Sequence, residues 1–217
     1  MKIGILGGTG KEGAGLAVRW AQAGHEIVIG SRDAERARAK AAELVALVSG
    51  ARMSGAGNRD AAAAADIVVI ALPAGGLAAT LPDVREACRG KVVVSTVVPL
   101  TFGGPRLFTP PPQGSSAEEA QEMLGAEARV VAAFHHIAAH ELSATEHDIE
   151  CDLLICGGDA EAKKRVAELG ASMGLRVVDV GALSNAGPLE GITAVLATIN
   201  RRYKLKNSGI KITGLPG

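Results

Sequence analysis

Apolar segments of strand length alternate with alanine-rich segments of helical period along most of the chain. Eight such apolar segments each predict a strand: KIGIL, HEIVIG, ARMSGA, DIVVIAL, KVVVST, ARVVAAF, CDLLIC and LRVVDV. Between them apolar residues recur every three or four positions, as at Ala37, Ala41, Leu44 and Val48, which predicts helices with one apolar face. We therefore predict an α/β fold of the Rossmann type, with a doubly wound, mainly parallel sheet, helices on both faces and a C-terminal helical extension.

Short polar residues mark where several of the predicted helices begin. Asp33, Asp159 and either Ser115 or Ser116 stand directly before helical patterns, as N-cap residues do. The last helix covers LEGITAVLATINRRYK. The segment Phe102–Ser116 is rich in proline and glycine and has no period, so we expect a surface loop there. No repeat or linker divides the chain, and we predict a single domain over residues 1–217.

Composition and charge narrow the class of protein. The 23 basic residues balance 23 acidic ones, so we expect neither nucleic acid nor an anionic membrane as a partner. No apolar stretch approaches the roughly 20 residues of a membrane span, and MKIGILGGTG enters a predicted strand without a leader. Cys88, Cys151 and Cys156 show no metal-binding spacing. They predict reduced, mostly buried thiols of a cytoplasmic protein.

A glycine-rich turn follows the first predicted strand. In GGTGKEGAG, which contains Lys11 and Glu12, the residues Gly8, Gly10 and Gly13 satisfy G-x-G-x-x-G between a strand and a helix. We expect Gly8 to form the tight turn, Gly10 to admit a pyrophosphate and Gly13 to allow close packing of helix and strand. The helix N-terminus offers free N–H groups to that anion. The motif predicts a dinucleotide site.

The end of the second predicted strand selects the cofactor. NAD enzymes place a carboxylate there for the ribose 2'-hydroxyl, whereas this chain has Ser31 and Arg32. A guanidinium pairs with the 2'-phosphate of NADP, and a serine hydroxyl donates to it. Arg36, one helical turn later, and Thr9 in the glycine turn reach the same phosphate from either side. The alternative is a solvated helix face on which Arg32 and Arg36 pair with neighbouring carboxylates. We predict NADP(H).

The nicotinamide is expected past the ends of the fourth and fifth strands. These ends carry Leu72 and Pro73 in ALPAGG, and Val98 and Pro99 in STVVPL. Neither stretch offers a proton donor. The chain has one tyrosine, and it lacks the Tyr-x-x-x-Lys pair of short-chain dehydrogenases. The candidates for acid chemistry are therefore the histidines.

Two adjacent histidines, His135 and His136, follow the strand ARVVAAF at the mouth of the predicted sheet. Either can hydrogen-bond a second substrate; the alternative is one solvent-facing ring and one packing residue. His140 and His147 lie further along, but H-H-x-x-x-H has no known metal-cluster spacing, and we predict no metal.

Taken together, several segments resemble one family. MKIGILGGTGKEGAGLAVRWAQAGHEIVIGSRDAERARAKA, VVSTVVPL, VVAAFHHIAA, CGGDAEAKKRV and DVGALSN are similar, nearly end to end, to the NADPH-dependent F420 reductases, or F420H2:NADP oxidoreductases. The resemblance implies direct hydride transfer between C4 of the nicotinamide and C5 of the deazaflavin F420. It implies two stacked rings and little acid–base chemistry, which fits a site of glycine, proline and apolar residues.

The resemblance also implies roles for individual residues. It places the 2'-phosphate on Thr9, Ser31 and Arg32, with Arg36 as a further basic residue, and His135 beside the deazaflavin. Thr193 is retained, whereas Ala186-Gly187 replaces the Ser-Arg of archaeal members. Residues 1–133 then bind the dinucleotide and residues 134–217 contribute to the deazaflavin site. The segment NSGIKITGLPG is expected to close over that ring, and the family analogy implies a homodimer.

Two other functions fit the same fold. One is an NADPH-dependent reductase of a flavin or of a small imine or ketone, for which the replaced arginine is the best support. The other is a catalytically silent NADP-binding protein that reports the redox state of the cofactor to a partner.

Overall fold

The computed structural model of the chain describes residues 1–215, so Pro216 and Gly217 of the expected closing segment lie outside the described residues. Its centre is an eight-stranded sheet with the order β3-β2-β1-β4-β5-β6-β7-β8. The strands are β1 (Lys2–Leu6), β2 (Glu26–Ser31), β3 (Arg52–Gly57), β4 (Ile67–Ile70), β5 (Val92–Ser95), β6 (Arg129–Ala132), β7 (Asp152–Gly157) and β8 (Arg176–Asp179). Five strands lie within predicted segments, and β2, β3 and β7 each extend one residue past the end of theirs. The Rossmann-type prediction is confirmed.

The first six strands are parallel to their neighbours, and β7 then pairs antiparallel with β6 while β8 is parallel to β7. The chain places β2 and β3 on one side of β1, and β4 on the other. This reversal of strand order opens a crevice beyond the carboxyl ends of β1 and β4, which is where open α/β sheets bind ligands.

Helices cover both faces of the sheet. They are α1 (Lys11–Gln22), α2 (Ala34–Val45), α3 (Asn58–Ala64), α4 (Leu77–Cys88), α5 (Ser116–Leu124), α6 (Ala139–Ser143), α7 (Ala160–Ala171) and α8 (Ala186–Tyr203). The predicted caps are confirmed: Asp33 accepts from the N–H of Glu35 at 2.9 Å and Asp159 from that of Ala162 at 2.7 Å. Ser115 caps α5 by accepting from the N–H of Glu118 at 3.0 Å.

The core has one layer on each face of the sheet, because successive strand residues point to opposite faces. In β4, Ile67 and Val69 pack in one layer while Val68 and Ile70 pack in the other. Burial on both faces explains why these strands have no polar alternation.

The expected loop between Phe102 and Ser116 is confirmed, with one isolated bridge joining Leu100 to Phe108. Glu190, a fully buried residue of α8, accepts hydrogen bonds from the backbone N–H groups of Ser116 and Ala117 at 3.0 and 3.1 Å. The loop therefore ends at α5, and the side chain of Glu190 in α8 binds the first N–H groups of that helix.

The C-terminal segment lies along β7. Asp152 donates its backbone N–H to the carbonyl of Ile210 at 2.8 Å, and its carboxylate pairs with both Nε and Nη2 of Arg176 at 2.8 and 2.7 Å. Arg176 also donates to the carbonyl of Ile212 at 2.6 Å. One buried carboxylate thus fastens β8 and the C-terminal segment to β7.

Candidate functional site

The glycine turn is built by close packing of the backbone. Gly7 adopts φ +74°, so the left-handed residue of the turn is Gly7, which directly precedes the Gly8 expected to form the tight turn. Gly8 has a different reason to be glycine, since a Cβ there would come 3.0 Å from the carbonyl oxygen of Ile5. A Cβ on Gly13 would lie 2.8 Å from Cα of Gly8. The role expected of Gly13, close packing of the helix on the turn, is the one that the structure requires.

Gly10 is different, because the protein leaves space beside it. Its φ is −76° and a Cβ would lie 3.4 Å from the carbonyl oxygen of Gly7, an ordinary contact. The fold alone would accept alanine there. Gly10 is exposed at the start of α1, whose first N–H groups have no acceptor within the helix. An open glycine at a helix N-terminus fits the pyrophosphate of a dinucleotide.

The residues expected at the 2'-phosphate lie together where β2 meets α2. Ser31 is the last residue of β2, and Arg32 and Arg36 are exposed just beyond it. The alternative of a paired helix face is not what the structure has: Glu35 pairs with Arg38. Across residues 1–215, neither Arg32 nor Arg36 makes a salt bridge or a side-chain hydrogen bond. Both guanidinium groups are available to an anion.

The glycine turn is held next to this edge from two sides. Gly8 donates its N–H to the carbonyl of Gly30 in β2 at 3.0 Å, and Gly7 donates to Oδ1 of Asn58 at 3.3 Å. Thr9 lies in the turn beside a second cavity, of about 730 Å³, which also includes His140 of α6. Asn58 was not predicted from the sequence. In the structure it is a buried residue at the start of α3, beside the glycine turn.

A cavity of about 620 Å³ opens at the carboxyl ends of β4 and β5. Most residues that the sequence predicted for the pyrophosphate, the nicotinamide and the second ring line this one space. These residues are Gly10, Lys11, Glu12, Leu72, Pro73, Val98, Pro99, His135 and Thr193. Residues from widely separated parts of the chain thereby converge beside the glycine turn. Thr96 and Phe102 also line the cavity and were not predicted.

His135 faces this cavity as a neutral ring. Both of its ring nitrogens are buried and have no hydrogen-bond partner among residues 1–215, and burial lowers its pKa to about 3. The residue before it, Phe134, adopts φ +69°, an uncommon conformation for a bulky side chain. Phe134 is fixed in it by edge-to-face packing on Trp20, with ring centroids 5.4 Å apart. The core therefore sets the direction of the chain at His135.

His136 belongs to a different part of the molecule. It is buried, and its Nε2 donates to the carbonyl of Asp152 at 2.8 Å. It lines a separate cavity of about 470 Å³ with His147 and the C-terminal residues Asn207, Ser208 and Gly209. The alternative in which one histidine of the pair faces solvent is wrong, since both are buried. Of the segment NSGIKITGLPG, which was expected to close over the deazaflavin, residues 207–209 line this 470 Å³ cavity.

Glu12 carries an ionisable group for which the sequence pattern predicted no acid–base role. Its Oε1 is shielded from solvent and has no hydrogen-bond partner in the described part of the chain. Burial raises its pKa to about 7, an effect that the nearby hydroxyl of Thr96 partly opposes. Histidines were the expected candidates for acid chemistry. His135 is neutral near pH 7, however, whereas Glu12 titrates near pH 7. A carboxylate in a phosphate-binding turn was the available signal.

The start of α8 explains the departure at Ala186-Gly187. A Cβ on Gly187 would lie 2.7 Å from the carbonyl oxygen of Gly114. A larger residue, such as arginine, would displace the end of the Phe102–Ser116 loop. The loop and the start of α8 are matched to each other in this chain.

Within residues 1–215, no group of three or more His, Cys, Asp and Glu side chains is arranged to hold a metal ion. Among the helices of the described chain, none is both long and apolar enough to cross a bilayer.

Comparison with known proteins identifies the family. Residues 2–99 match the family model described as NADP oxidoreductase, coenzyme F420-dependent. The F420-dependent NADP reductase of Methanothermobacter thermautotrophicus is 41% identical over 100% of this chain and 96% of its own length. The chain belongs to this reductase family. The reductase of Methanocaldococcus jannaschii is also 41% identical, over 99% of both chains.

Solved structures agree with the fold. A crystal structure from an Arthrobacter species superposes with a TM-score of 0.84 at 29% identity, covering 98% of this chain and 99% of that one. The resemblance to the F420-dependent reductases thus extends over both halves of the chain, as the sequence motifs predicted.

Proposed function

We propose that this chain is an oxidoreductase that transfers a hydride between NADP(H) and the deazaflavin coenzyme F420. The observation that carries the proposal is the convergence of the glycine turn, His135 and Thr193 on one cavity at the carboxyl ends of β4 and β5. When bound, the two coenzymes supply the redox chemistry, because one carries a transferable hydride and the other accepts it. The protein has to place and shield them.

The dinucleotide half is assigned to residues 1–133. Gly8, Gly10 and Gly13, with the backbone of Lys11 and Glu12, hold the pyrophosphate at the N-terminus of α1. The 2'-phosphate is held by Thr9, Ser31, Arg32 and Arg36. The absence of a salt bridge to Arg32 or Arg36 within residues 1–215 supports that role, since ion pairing within the protein would compete with the phosphate.

The apolar walls give the site its second property. Leu72 and Pro73 after β4, and Val98 and Pro99 after β5, flank the space in which the nicotinamide lies. These side chains exclude water from the reacting rings and offer no competing proton transfer. Such a wall suits direct hydride transfer, which needs alignment of two atoms and little acid–base assistance.

His135 is assigned to the deazaflavin, with residues 134–217 contributing that part of the site. As a neutral imidazole it has one N–H donor and one acceptor, and neither nitrogen has a hydrogen-bond partner within residues 1–215. It therefore positions the second ring by a hydrogen bond and is not the source of the proton. Thr193 supports it through the backbone.

We further propose a cytoplasmic homodimer. The apolar side chains of Val195 and Tyr203 on α8 are 59% and 66% exposed, which supports a second copy packing on this helix. Cys88, Cys151 and Cys156 are buried and free, as in a reducing compartment. Light scattering coupled to size exclusion tests the dimer, and a monomeric mass with an unchanged α8 surface would contradict it.

The function is tested by mixing the purified protein with NADPH and F420 and following the visible absorption band of F420. We expect bleaching with NADPH and much slower bleaching with NADH. FMN and a cyclic imine serve as competing acceptors: turnover with either of them but not with F420 would overturn the proposal. Tight NADPH binding without turnover of any acceptor would identify a silent binding protein instead.

A further inference from the structure

Glu12 has an environment that its position in the glycine turn does not explain. Backbone N–H groups bind the pyrophosphate, so the turn needs no particular side chain at this position. Yet Glu12 lines the 620 Å³ cavity, and its Oε1 is shielded from solvent and has no hydrogen-bond partner among the residues that the structure describes. A buried carboxyl oxygen without a partner is costly, and such groups are retained where a ligand completes them.

The surroundings of Glu12 contain little that would keep it charged. Leu72 after β4 and Thr96 after β5 line the same cavity, the hydroxyl of Thr96 lies near the Glu12 carboxyl group, and neither residue titrates. The other titratable residues that line the described cavity are Lys11, which is exposed, and His135, which is uncharged near neutral pH. The hydroxyl of Thr96 favours the anion, but burial is the larger effect and raises the pKa of Glu12 to about 7. Free Glu12 is thus poised between its two forms.

The protonation of Glu12 is expected to depend on the charge of the ring that binds beside it. The nicotinamide ring is a cation when oxidised and neutral when reduced, and the proposed function puts this ring past the ends of β4 and β5, where Glu12 also lies. An adjacent cation favours the carboxylate, and a neutral apolar ring that displaces water favours the acid.

We propose that Glu12 is a redox-linked proton carrier of the nicotinamide site, neutral beside NADPH and ionised beside NADP+. The inference rests on the proposed function, because it takes the nicotinamide to occupy this end of the cavity. In the direction of F420 reduction, the acceptor gains one hydride and one proton. Glu12 releases one proton as the neighbouring ring becomes cationic, and this proton supplies the one that the acceptor takes up. Glu12 regains a proton from solvent when NADPH replaces NADP+. Protons and charge therefore balance over the cycle.

Proton exchange on nucleotide binding tests this directly. Isothermal titration calorimetry at pH 7 in two buffers of different ionisation enthalpy gives the protons taken up or released with NADPH and with NADP+. We expect uptake with NADPH and release with NADP+, each approaching about half a proton per site, because the free group is about half protonated at this pH. The 2'-phosphate and pyrophosphate are common to both nucleotides, so their own protonation cancels in the difference.

Glu12→Gln assigns that difference to the carboxyl group. It should bind both nucleotides with equal proton exchange, whereas Glu43→Gln, which removes an exposed carboxylate of α2, should keep the wild-type difference. Equal proton exchange in the wild-type protein overturns the proposal even if Glu12→Gln fails to fold. A wild-type difference that persists in Glu12→Gln overturns it as well.

The proposed function fails in a different way. Nucleotide binding without F420 reduction would remove F420 as the acceptor and leave the proton-exchange result standing. If neither nucleotide binds, both proposals fall.

Discussion

The hydroxyl of Thr193 donates a hydrogen bond to the backbone carbonyl of His135 at 2.9 Å. It joins the middle of α8 to the residue that carries the proposed deazaflavin ligand, 58 positions earlier in the chain. A threonine expected to bind the cofactor directly thus already has a partner for its proton. Its hydroxyl oxygen can still accept a hydrogen bond from a ligand.

This relationship gives a first prediction. Thr193→Val keeps the shape of the side chain but removes the hydroxyl, and one hydrogen bond of this kind contributes about 1 kcal/mol. We expect the KM for F420 to rise about fivefold while the KM for NADPH stays unchanged. Thr198→Val is the matched control, because the hydroxyl of Thr198 bonds only the carbonyl of Ala194 on an exposed face of the same helix. An equal effect of both variants would point to a general loss of α8 stability.

Arg32→Asp tests the proposed choice of cofactor. The substitution replaces attraction to the 2'-phosphate with repulsion, and we expect kcat/KM for NADPH to fall by about 100-fold, with little change for NADH. Arg38→Asp makes the same change in net charge on α2 but removes a guanidinium that pairs with Glu35. It should reduce kcat/KM for NADPH far less. Equal losses for NADPH and NADH in Arg32→Asp would remove Arg32 from the phosphate site.

His135 is expected to make the fold sensitive to acid. The unfolded chain binds a proton at this histidine near its ordinary pKa of 6.5, whereas burial lowers the pKa in the folded chain to about 3. Keeping this ring neutral therefore contributes nothing to the loss of stability above pH 6.5, and the free energy of unfolding falls as the pH drops from 6.5 toward about 3. By pH 5 the loss amounts to about 2 kcal/mol.

Urea unfolding at pH 7 and pH 5 measures this effect. The drop in the free energy of unfolding between the two pH values should be smaller in His135→Gln than in the wild type, by about 2 kcal/mol. An identical drop would mean that the imidazole is protonated in the folded protein, and the hydrogen-bonding role proposed for a neutral ring would then be wrong.

Arg19 is a polar side chain on which the stability of the fold is expected to depend strongly. This buried residue of α1 donates to four backbone carbonyls of the α6 region, those of Glu141, Leu142, Ala144 and His147. Arg19→Met leaves buried acceptors unpaired and should cost about 2–4 kcal/mol of unfolding free energy. Hydrogen exchange should also accelerate in residues 141–147.

Arg52→Met is the control for this variant, since Arg52 makes one exposed hydrogen bond to the carbonyl of Gly24. We expect it to change the free energy of unfolding by less than about 0.5 kcal/mol. A comparable loss in the two variants would refute the special role of Arg19.

The sequence predicted the parts of this protein that depend on local pattern. The eight strands follow from apolar segments, and the caps at Asp33, Ser115 and Asp159 follow from short polar residues before helical patterns. The convergence of Leu72 and Val98 on one cavity follows from the topology of a parallel sheet. These features need only the period of the chain and general rules of the fold.

What the sequence did not predict depends on contacts between distant residues. Neither the burial of Glu12 nor that of both histidines can be derived from their neighbours, because it is set by elements that pack on them. The bond from Thr193 to His135 and the clamp of Arg176 on Asp152 likewise join distant positions. The sequence pattern therefore predicts that Glu12 and the histidines lie near the carboxyl edge of the sheet. Their burial, and hence their protonation state, depends on tertiary packing.

The packing of Trp20 on Phe134 links the two portions of the chain assigned to the two coenzymes. Trp20 lies on α1, the helix that also begins with the glycine turn, and Phe134 directly precedes His135. A chimera that joined residues 1–133 of this protein to the C-terminal portion of a relative would mismatch that contact, together with the carbonyls that Arg19 holds. Recombination between family members would therefore have to exchange α1 along with the C-terminal portion.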